Sequence, residues 1–537
     1  MDIRKVVILV VHGTGDQQRF GSLEEVALNV AKALRKDPAR KAQVEVIEGD
    51  QAQRNATDTC WRDSPVRVSW LSGPAQRIEA TFREVFWADL DYQVSFFRWL
   101  RLVFWALTMP GVRIFSLGDG PPGSQEGDPA AHRLLSVPQL SLRARIWIRL
   151  RLGFVCCPLF FVLLLVNILQ ALLRRLSIDL RLDRILYDYM GDILLYQDWL
   201  TRDTNIEGFE EKSRVAIRRR MVRALVRTAA ECSGPAAQFA GYYVFAHSLG
   251  GIVALNALME PTHVLPGYLN QEEWDALPSA WKQKVPSGAP AIQTPQRPLW
   301  LSNDDAIDRS QLLERLDGLL TVGCPLDKFA ALWPAIVPIS RDKVSEPVRW
   351  LNVFDLQDII ADRIDLFFDR PVEEGGARFD LAALNFKLTD REWAGSRTPF
   401  LAHNSYWTTH PKRARLVDQM IPWLERKAFP TPPPDLYPKA VARALLVMWT
   451  TLSILLLFLI DAVIFHNVPT ALSWLGIGTS ASGSTYFGLS LPTGRELPRL
   501  YALVVALSVS GVVVFSLVRR GYERLKYGPQ YVKNFGA

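Results

Sequence analysis

Residues 243–255 read YVFAHSLGGIVAL, with apolar residues on both sides of a His-Ser-Leu-Gly-Gly turn. This pattern predicts a buried strand, a sharp turn and a helix. In such a unit the turn strains the serine and exposes it at the end of the strand, and the small residues Ala246 and Gly250 keep strand and helix from clashing. An ordinary β-α turn has a similar sequence, so Ser248 needs partners before it can be interpreted as a nucleophile.

Other short apolar runs predict further strands of the same sheet. They lie at residues 6–11, 66–71, 319–324 and 348–354. Segments of helix length separate them, and parallel strands joined by helical crossovers form a sheet that helices cover. The sequence therefore predicts an α/β fold with a mostly parallel sheet.

Two helices are expected near the start of the chain. Ser22 followed three residues later by Glu25 is a capping-box pattern, which predicts that a helix begins at Ser22. After the strand at 66–71, apolar residues at helical spacing predict an amphipathic helix that carries Ile78, Phe82, Val85 and Phe86.

A serine is a weak nucleophile at neutral pH and needs a base, together with a group that orients the base. The histidines that follow Ser248 are His263, His403, His410 and His466. His263 comes too soon after the turn, and His466 borders an apolar segment. His403, in the sequence FLAHNSYW after the last predicted strand, is the better candidate, and His410 is the weaker one.

Three aspartates are candidates for the orienting acid. Asp358 is favoured because WLNVFDLQDII (350–360) predicts a strand, with Asp358 in the loop beyond it. Asp355 follows the strand immediately, and Asp327 in GCPLD comes at the end of the preceding strand. Both are alternatives to Asp358, and the competing interpretation of each is a solvent-facing carboxylate without a catalytic role.

Acyl transfer also requires donors for the developing oxyanion. We expect one donor to be the N–H of Leu249, directly after the serine and at the start of a helix. The other is expected to be the N–H of Thr14 in HGTG (12–15), a supporting loop that also contains His12, Gly13 and Gly15. Glycines there allow the backbone to approach a substrate closely.

Nucleotide and metal sites are not expected. HGTG could be a phosphate-binding turn, but it lacks the GxGxxG pattern and the lysine of a P-loop. The five cysteines show no metal-ligand spacing. The sequence therefore predicts neither a metal nor a cofactor.

The motifs HGTG, AHSLGG, TVGCPLD, WLNVFDLQD and AHNSYW occur in this order. In this set the chain resembles the α/β-hydrolase superfamily, and within it the serine lipases and esterases. The resemblance covers roughly residues 5–73 and 180–425. It implies a triad of Ser248, Asp358 and His403, with His247 as a structural histidine before the nucleophile. The motifs are specific for the superfamily and not for a substrate.

Four apolar blocks interrupt the α/β pattern, at 96–110, 153–173, 444–460 and 500–518. A bilayer span needs about 20 apolar residues, and block 444–460 can extend to Phe465. Lysines and arginines lie outside the last two blocks, whereas the loop between them has only Arg495 and Arg499. The positive-inside rule then predicts a transmembrane hairpin with the catalytic domain in the cytoplasm. The alternative is a buried helical hairpin in a soluble domain.

The first two blocks lie between strands of one sheet, so this insertion crosses a membrane twice or not at all. Its basic segment LRARIWIRLRL (142–152) favours a position at the level of the lipid head groups, beside the active site. The expected organisation is a first core part, a membrane-associated insertion, a second core part, a proline-rich linker and a hairpin with a basic tail, at 1–93, 94–176, 177–428, 429–439 and 440–537.

Together these features predict an integral membrane serine hydrolase that cleaves carboxylic esters, with lipids as the expected substrates. The net charge of +7 is concentrated beside apolar blocks, which favours an anionic lipid surface and not nucleic acid as the partner. The alternatives are an anchored esterase or thioesterase that acts on small or protein-linked acyl groups, and a membrane adaptor with a hydrolase-like fold and no catalysis.

Overall fold

A computed structural model describes the following residues of the chain: 2–13, 20–46, 66–88, 135–136, 196, 204–206, 209–211, 213–234, 237–285, 297–332, 339–340, 344, 346–364, 372–374, 377–379, 385–408, 415–426, 429 and 434–474. The described residues fall into two compact units, of which the first ends at Leu446 and the second begins at Val447. Apart from Leu135–Ser136, the predicted insertion at 94–176 lies outside the described residues, and so does the apolar block at 500–518.

In chain order the strands are β1 (Asp2–Val11), β2 (Gln43–Val46), β3 (Val66–Leu71), β4 (Gln76–Val85), β5 (Leu135–Ser136), β6 (Thr204–Ile206), β7 (Phe209–Glu211), β8 (Gly241–His247), β9 (Lys282–Lys284), β10 (Asp305–Ile307), β11 (Leu316–Val322), β12 (Ile339–Ser340), β13 (Val348–Asp355), β14 (Val372–Glu374), β15 (Ala377–Phe379) and β16 (Phe386–Trp393). The helices are α1 (Gly21–Leu34), α2 (Ser213–Glu231), α3 (Leu249–Leu258), α4 (Gln271–Ala276), α5 (Arg309–Leu313), α6 (Leu326–Leu332), α7 (Pro399–Ala402), α8 (Leu416–Leu424) and α9 (Lys439–Trp474). Short 3-10 turns lie at Pro38–Arg40, Leu265–Tyr268 and Ser279–Trp281.

An eight-stranded sheet forms the centre of the described part of the first unit, in the order β16-β13-β11-β8-β1-β4-β3-β2. All neighbours from β16 to β4 pair in parallel, whereas β3 is antiparallel to both β4 and β2. The α/β class with a mostly parallel sheet, predicted from the sequence, is confirmed.

Helices cover both faces of the sheet and create two cores. Val7 and Leu9 of β1 contribute to one core, together with α2 and α3. Ile8 and Val10, which point to the opposite face, contribute to the other core, together with α1 and α8. A strand that is buried on both faces requires an unbroken apolar run, which is what 6–11 provides.

The prediction of an amphipathic helix after residue 71 is wrong, because residues 76–85 form strand β4. This strand pairs with β1 along its whole length, from Asp2 opposite Gln76 to Val11 opposite Val85. Ile78 and Phe82 are four residues apart, a spacing that suits one face of a helix and also one face of a strand. Pairing with the edge of β1 decides between the two.

The capping box predicted at Ser22 is also wrong. Helix α1 begins at Gly21, and its N-cap position is Phe20, which has a left-handed φ of 68°. The helix itself and its apolar face are as expected, since Val26 and Val30 are buried against the sheet.

The apolar block predicted at 444–465 lies within α9. Among the described residues, α9 is the one helix that has the length and composition to cross a membrane. Its window Lys439–Leu456 has a mean hydropathy of 1.5.

Candidate active site

Ser248 occupies a strained turn between β8 and α3. Its φ is 52° and its ψ is −129°, in a region that residues other than glycine rarely adopt. Within the described residues, its side chain does not cap the helix that follows, and its N–H donates to the carbonyl of Val322 at 2.9 Å. An observed outlier of this kind is a sound starting point for a functional hypothesis. The strained strand–turn–helix geometry predicted around Ser248 is therefore present.

The backbone after β1 passes directly beside this turn. A Cβ atom on Gly250 would lie 2.4 Å from the carbonyl oxygen of His12, and a Cβ on Gly13 would lie 2.6 Å from the Cβ of Ser248. Both distances are shorter than a side chain tolerates. Glycine at 13 and 250 therefore brings the turn after β1 against the serine.

His12 holds that turn in place. Its Nδ1 donates to the carbonyl of Gly13 at 2.7 Å, and its Nε2 accepts from the N–H of Trp87 at 3.0 Å. The imidazole also stacks on the Trp87 ring, with centroids 4.6 Å apart. His12 therefore supports the loop, as expected. Thr14 and Gly15, the other predicted residues of this loop, lie outside the described residues.

Leu249 is the first residue of α3. The first N–H groups of a helix have no acceptor within it and carry the positive end of the helix dipole. The N–H of Leu249, directly after the serine, is thus a suitable oxyanion donor.

The structure pairs His403 with Asp358. Nδ1 of His403 lies 2.8 Å from Oδ2 of Asp358, and both side chains are buried. Asp358 lies in the loop after β13, and His403 is the C-cap residue of the short helix α7. A carboxylate at Nδ1 directs that proton toward the acid, so Nε2 is the nitrogen that can act as a base.

The carboxylate of Asp358 is ionised at neutral pH. Burial alone would raise the pKa of Asp358, but the charge and hydrogen bond of His403 lower it, together with bonds from Tyr406 and from the N–H of Ile360, to about 2. A charged acid in this position stabilises the imidazolium that forms when His403 accepts a proton.

His403 and Ser248 lie at the same edge of the sheet, at the carboxyl ends of β8, β11 and β13. A Cβ on Gly323, the residue after β11, would lie 3.1 Å from Cε1 of His403. The rings of His247 and His403 have centroids 4.8 Å apart. The structure therefore pairs the predicted histidine with the predicted acid and places Ser248 at the same sheet edge.

His247 fixes the backbone of the candidate base. Its Nε2 donates to the carbonyl of His403 at 2.8 Å. Burial, with a smaller effect from the neighbouring His403, lowers the pKa of His247 to about 3, so His247 stays neutral. A neutral donor of this kind positions His403 and does not exchange protons at neutral pH.

Tyr406 is a site residue that the sequence interpretation missed. Its hydroxyl donates to Oδ2 of Asp358 at 2.7 Å and accepts from the N–H of Asp355 at 2.9 Å. The available signal was its position three residues after His403 in AHNSYW, since a buried tyrosine hydroxyl normally requires a hydrogen-bond partner.

The alternative acids have other partners. Asp355 is the last residue of β13, and its carboxylate accepts from the N–H groups of Gln357 at 2.8 Å and Gly395 at 3.0 Å. Asp327 lies in α6 and pairs with Lys328 at 3.0 Å. His410, the alternative base, lies outside the described residues. No group of metal-ligating side chains occurs within the described part of the chain.

Removal of the Tyr406 hydroxyl should weaken the site without dismantling it. In Tyr406→Phe the acid loses one charge-assisted hydrogen bond, of a kind that contributes about 1.5–3 kcal/mol. We expect the rate at which a fluorophosphonate probe labels Ser248 to fall about tenfold. A labelling rate equal to that of the wild type would show that Tyr406 does not support the acid.

Asp355 should make stability depend on pH. Burial, opposed by the Gln357 N–H and reinforced by the charge of Asp358, raises the pKa of Asp355 from 3.8 to about 7. The folded state thus binds this proton more tightly than the unfolded chain, so the stabilisation is complete below about pH 4 and is lost as pH rises through 7.

The asparagine in Asp355→Asn cannot titrate, so this variant should not lose that stability as the pH rises. We would measure the free energy of unfolding of both proteins by urea titration in detergent. Between pH 4 and 7 the wild type should lose on the order of 1 kcal/mol or more of stability relative to the variant. A difference that stays constant over this range would contradict the raised pKa.

Comparison of the chain with protein-family models, with curated proteins and with solved structures gives no match. The chemistry of the site itself therefore carries the functional argument.

Proposed function

We propose that this chain is a membrane-anchored serine hydrolase of the α/β-hydrolase type, which cleaves carboxylic ester bonds through Ser248, His403 and Asp358. One observation carries the proposal: a buried His403–Asp358 pair lies at the same sheet edge as a serine with a φ of 52°. A nucleophile, a base and an orienting acid in this arrangement are the parts that acyl transfer needs.

In the proposed reaction, Oγ of Ser248 attacks the ester carbonyl carbon while Nε2 of His403 takes the hydroxyl proton of the serine. The carbonyl π electrons move onto oxygen, and this oxyanion accepts a hydrogen bond from the N–H of Leu249. The ester C–O bond then breaks, and the imidazolium gives its proton to the leaving alcohol. Water, deprotonated by His403, then attacks the acyl carbon. The bond from this carbon to Oγ of Ser248 breaks, the imidazolium returns its proton to Oγ, and the acid is released.

The proposed lipid substrate is supported by apolar segments elsewhere in the chain. Helix α9 contains a window with the composition of a membrane span. The sequence adds apolar blocks beside clusters of arginine, which suit an anionic bilayer surface. An esterase or thioesterase for smaller acyl groups would use the same triad, whereas a non-catalytic adaptor would not need an ionised acid at the base.

Three substitutions test the triad. Ser248→Ala should abolish both ester hydrolysis and fluorophosphonate labelling, and His403→Ala should be as damaging to hydrolysis, because each removes a group that acts in the covalent step. Asp358→Asn should lower kcat by several orders of magnitude, and by more than Asp355→Asn does, since Asp358 is the carboxylate on His403.

Ser233→Ala is a matched control, because Ser233 bonds to the carbonyl of Ala229 at the end of α2. A fluorophosphonate probe should label this variant at the same rate as the wild type. Hydrolysis retained in Ser248→Ala would remove this serine from the mechanism. Assays of phospholipids, neutral lipids, acyl thioesters and short p-nitrophenyl esters, with the same variants, would then distinguish the lipase from the esterase and the thioesterase.

The proposed hairpin puts the C-terminus and the catalytic domain in the cytoplasm, with the loop between the spans outside. In a background without native cysteines, a membrane-impermeant maleimide applied to intact cells should label Ser482→Cys but not Ala537→Cys, because only the loop is exposed on the outer side of the bilayer. Labelling of both positions, or of neither, would contradict the hairpin.

A further inference from the structure

The loop that carries Asp358 is supported from the core on its far side. Nδ2 of Asn352 donates to the carbonyl of Asp362 at 3.2 Å and to Oδ1 of Asp390 at 2.7 Å. The other oxygen of Asp390 accepts from the N–H of Ile364 at 2.9 Å. These bonds fix the end of the acid loop to β13 and β16.

The near side of the loop has a different kind of support, which comes from the segment before α9. Although this segment was expected to be a linker, it is hydrogen-bonded along the end of β16. The carbonyl of Pro434 accepts from Nε1 of Trp393 at 3.3 Å, Oδ1 of Asp435 accepts from the N–H of Ala394 at 3.0 Å, and the N–H of Leu436 donates to the Ala394 carbonyl at 2.9 Å.

The start of α9 then contacts the acid loop directly. Gln357, the residue before Asp358, is fully buried, and its Nε2 donates to the carbonyl of Ala442. The side chains of Leu356, Ala394 and Ala442 form a small buried apolar cluster around this bond. The residues just before the acid are thus packed on the start of the helix.

Asp355 links the same elements through hydrogen bonds. Its carboxylate accepts from the N–H of Gln357 in the acid loop and from the N–H of Gly395 after β16. The N–H of Asp355 in turn donates to Tyr406, which donates to Asp358. The acid loop, the end of β16 and the start of α9 are therefore one hydrogen-bonded unit.

Exposed ion pairs also link the helix to β16, but they are weak. Arg443 and Lys439 lie 2.9 Å and 3.6 Å from Oε1 of Glu392, and both basic side chains are largely exposed. Ion pairs of this kind contribute about 0–1 kcal/mol. The buried Gln357–Ala442 contact is the stronger link, because a buried polar group that loses its partner costs more.

We propose that the start of α9 is a positioning element for the catalytic acid and acts through Gln357. The helix that enters the proposed membrane span holds the Asp358 loop in its working position, so full catalytic competence requires the helix to be docked. This inference rests on the proposed function. Its physical basis is that a displacement of about 1 Å in a catalytic group costs up to 10²-fold in rate.

Two variants break the link from opposite sides. Gln357→Met keeps the length and volume of the side chain but cannot donate to Ala442. Ala442→Leu enlarges a fully buried residue and separates the helix from the loop. Val441→Leu is the matched control, since it enlarges the neighbouring residue, which is 46% exposed.

For each full-length protein in detergent, we would measure the fluorophosphonate labelling rate, kcat and KM for a soluble p-nitrophenyl ester, and the folded fraction from thermal unfolding. Per folded molecule, both Gln357→Met and Ala442→Leu should label at least tenfold more slowly than wild type and have a correspondingly lower kcat. Their KM should be unchanged, because the binding surface for a small ester is intact. Val441→Leu should behave as wild type.

The outcomes separate this inference from the proposed function. A wild type that is neither labelled nor active would overturn both. A reactive wild type whose two test variants match Val441→Leu would overturn the positioning role alone. Slower labelling that disappears after correction for the folded fraction would also overturn it, because the contact would then be structural only.

Discussion

Parallel pairing of β1 with β8 determines where the candidate site forms. The register places Val11 opposite Ala246, so the residues that follow, His12 and Gly13, arrive beside the turn at Ser248. Parallel strands end at the same edge of a sheet. The turn after β1 and the nucleophile after β8 therefore lie side by side, although they are far apart in sequence. A shift of this register by one residue would exchange the two faces of β1 and separate the turn from the serine.

The acid of the site depends on the same edge. Asp355 and Asp358 are three residues apart and both are buried, yet the pKa of the first is raised to about 7 and that of the second is lowered to about 2. Burial raises the pKa of both carboxyl groups. At Asp358 a histidine and a tyrosine hydroxyl outweigh this effect, whereas at Asp355 backbone N–H groups oppose it only in part and the charge of Asp358 adds to it. Different partners therefore give two similar carboxyl groups different protonation states, and hence different roles.

Helix α9 connects this local chemistry to the proposed membrane attachment. Its first residues belong to the described part of the first unit, where Ala442 is buried against the acid loop. Apolar helices that only tether a domain do not need such a contact. In this protein the start of the proposed anchor packs on Leu356, which lies two residues before the proposed acid Asp358.

The sequence by itself determined the α/β class, the strand that ends before Ser248 and the strained turn at Ser248, because these follow from local apolar runs and small residues. It also indicated His403 and Asp358, since each follows a recognisable element in the expected order. The helix wrongly expected after residue 71, where the chain forms β4, and the undetected strand β16 show the limit of this information. The conformations of both segments depend on pairing with β1 and β13, which lie far away in sequence. Tyr406 and Gln357 were missed for the same reason. Their importance comes from hydrogen bonds to Asp358 and to Ala442, and only the tertiary structure brings those partners within reach.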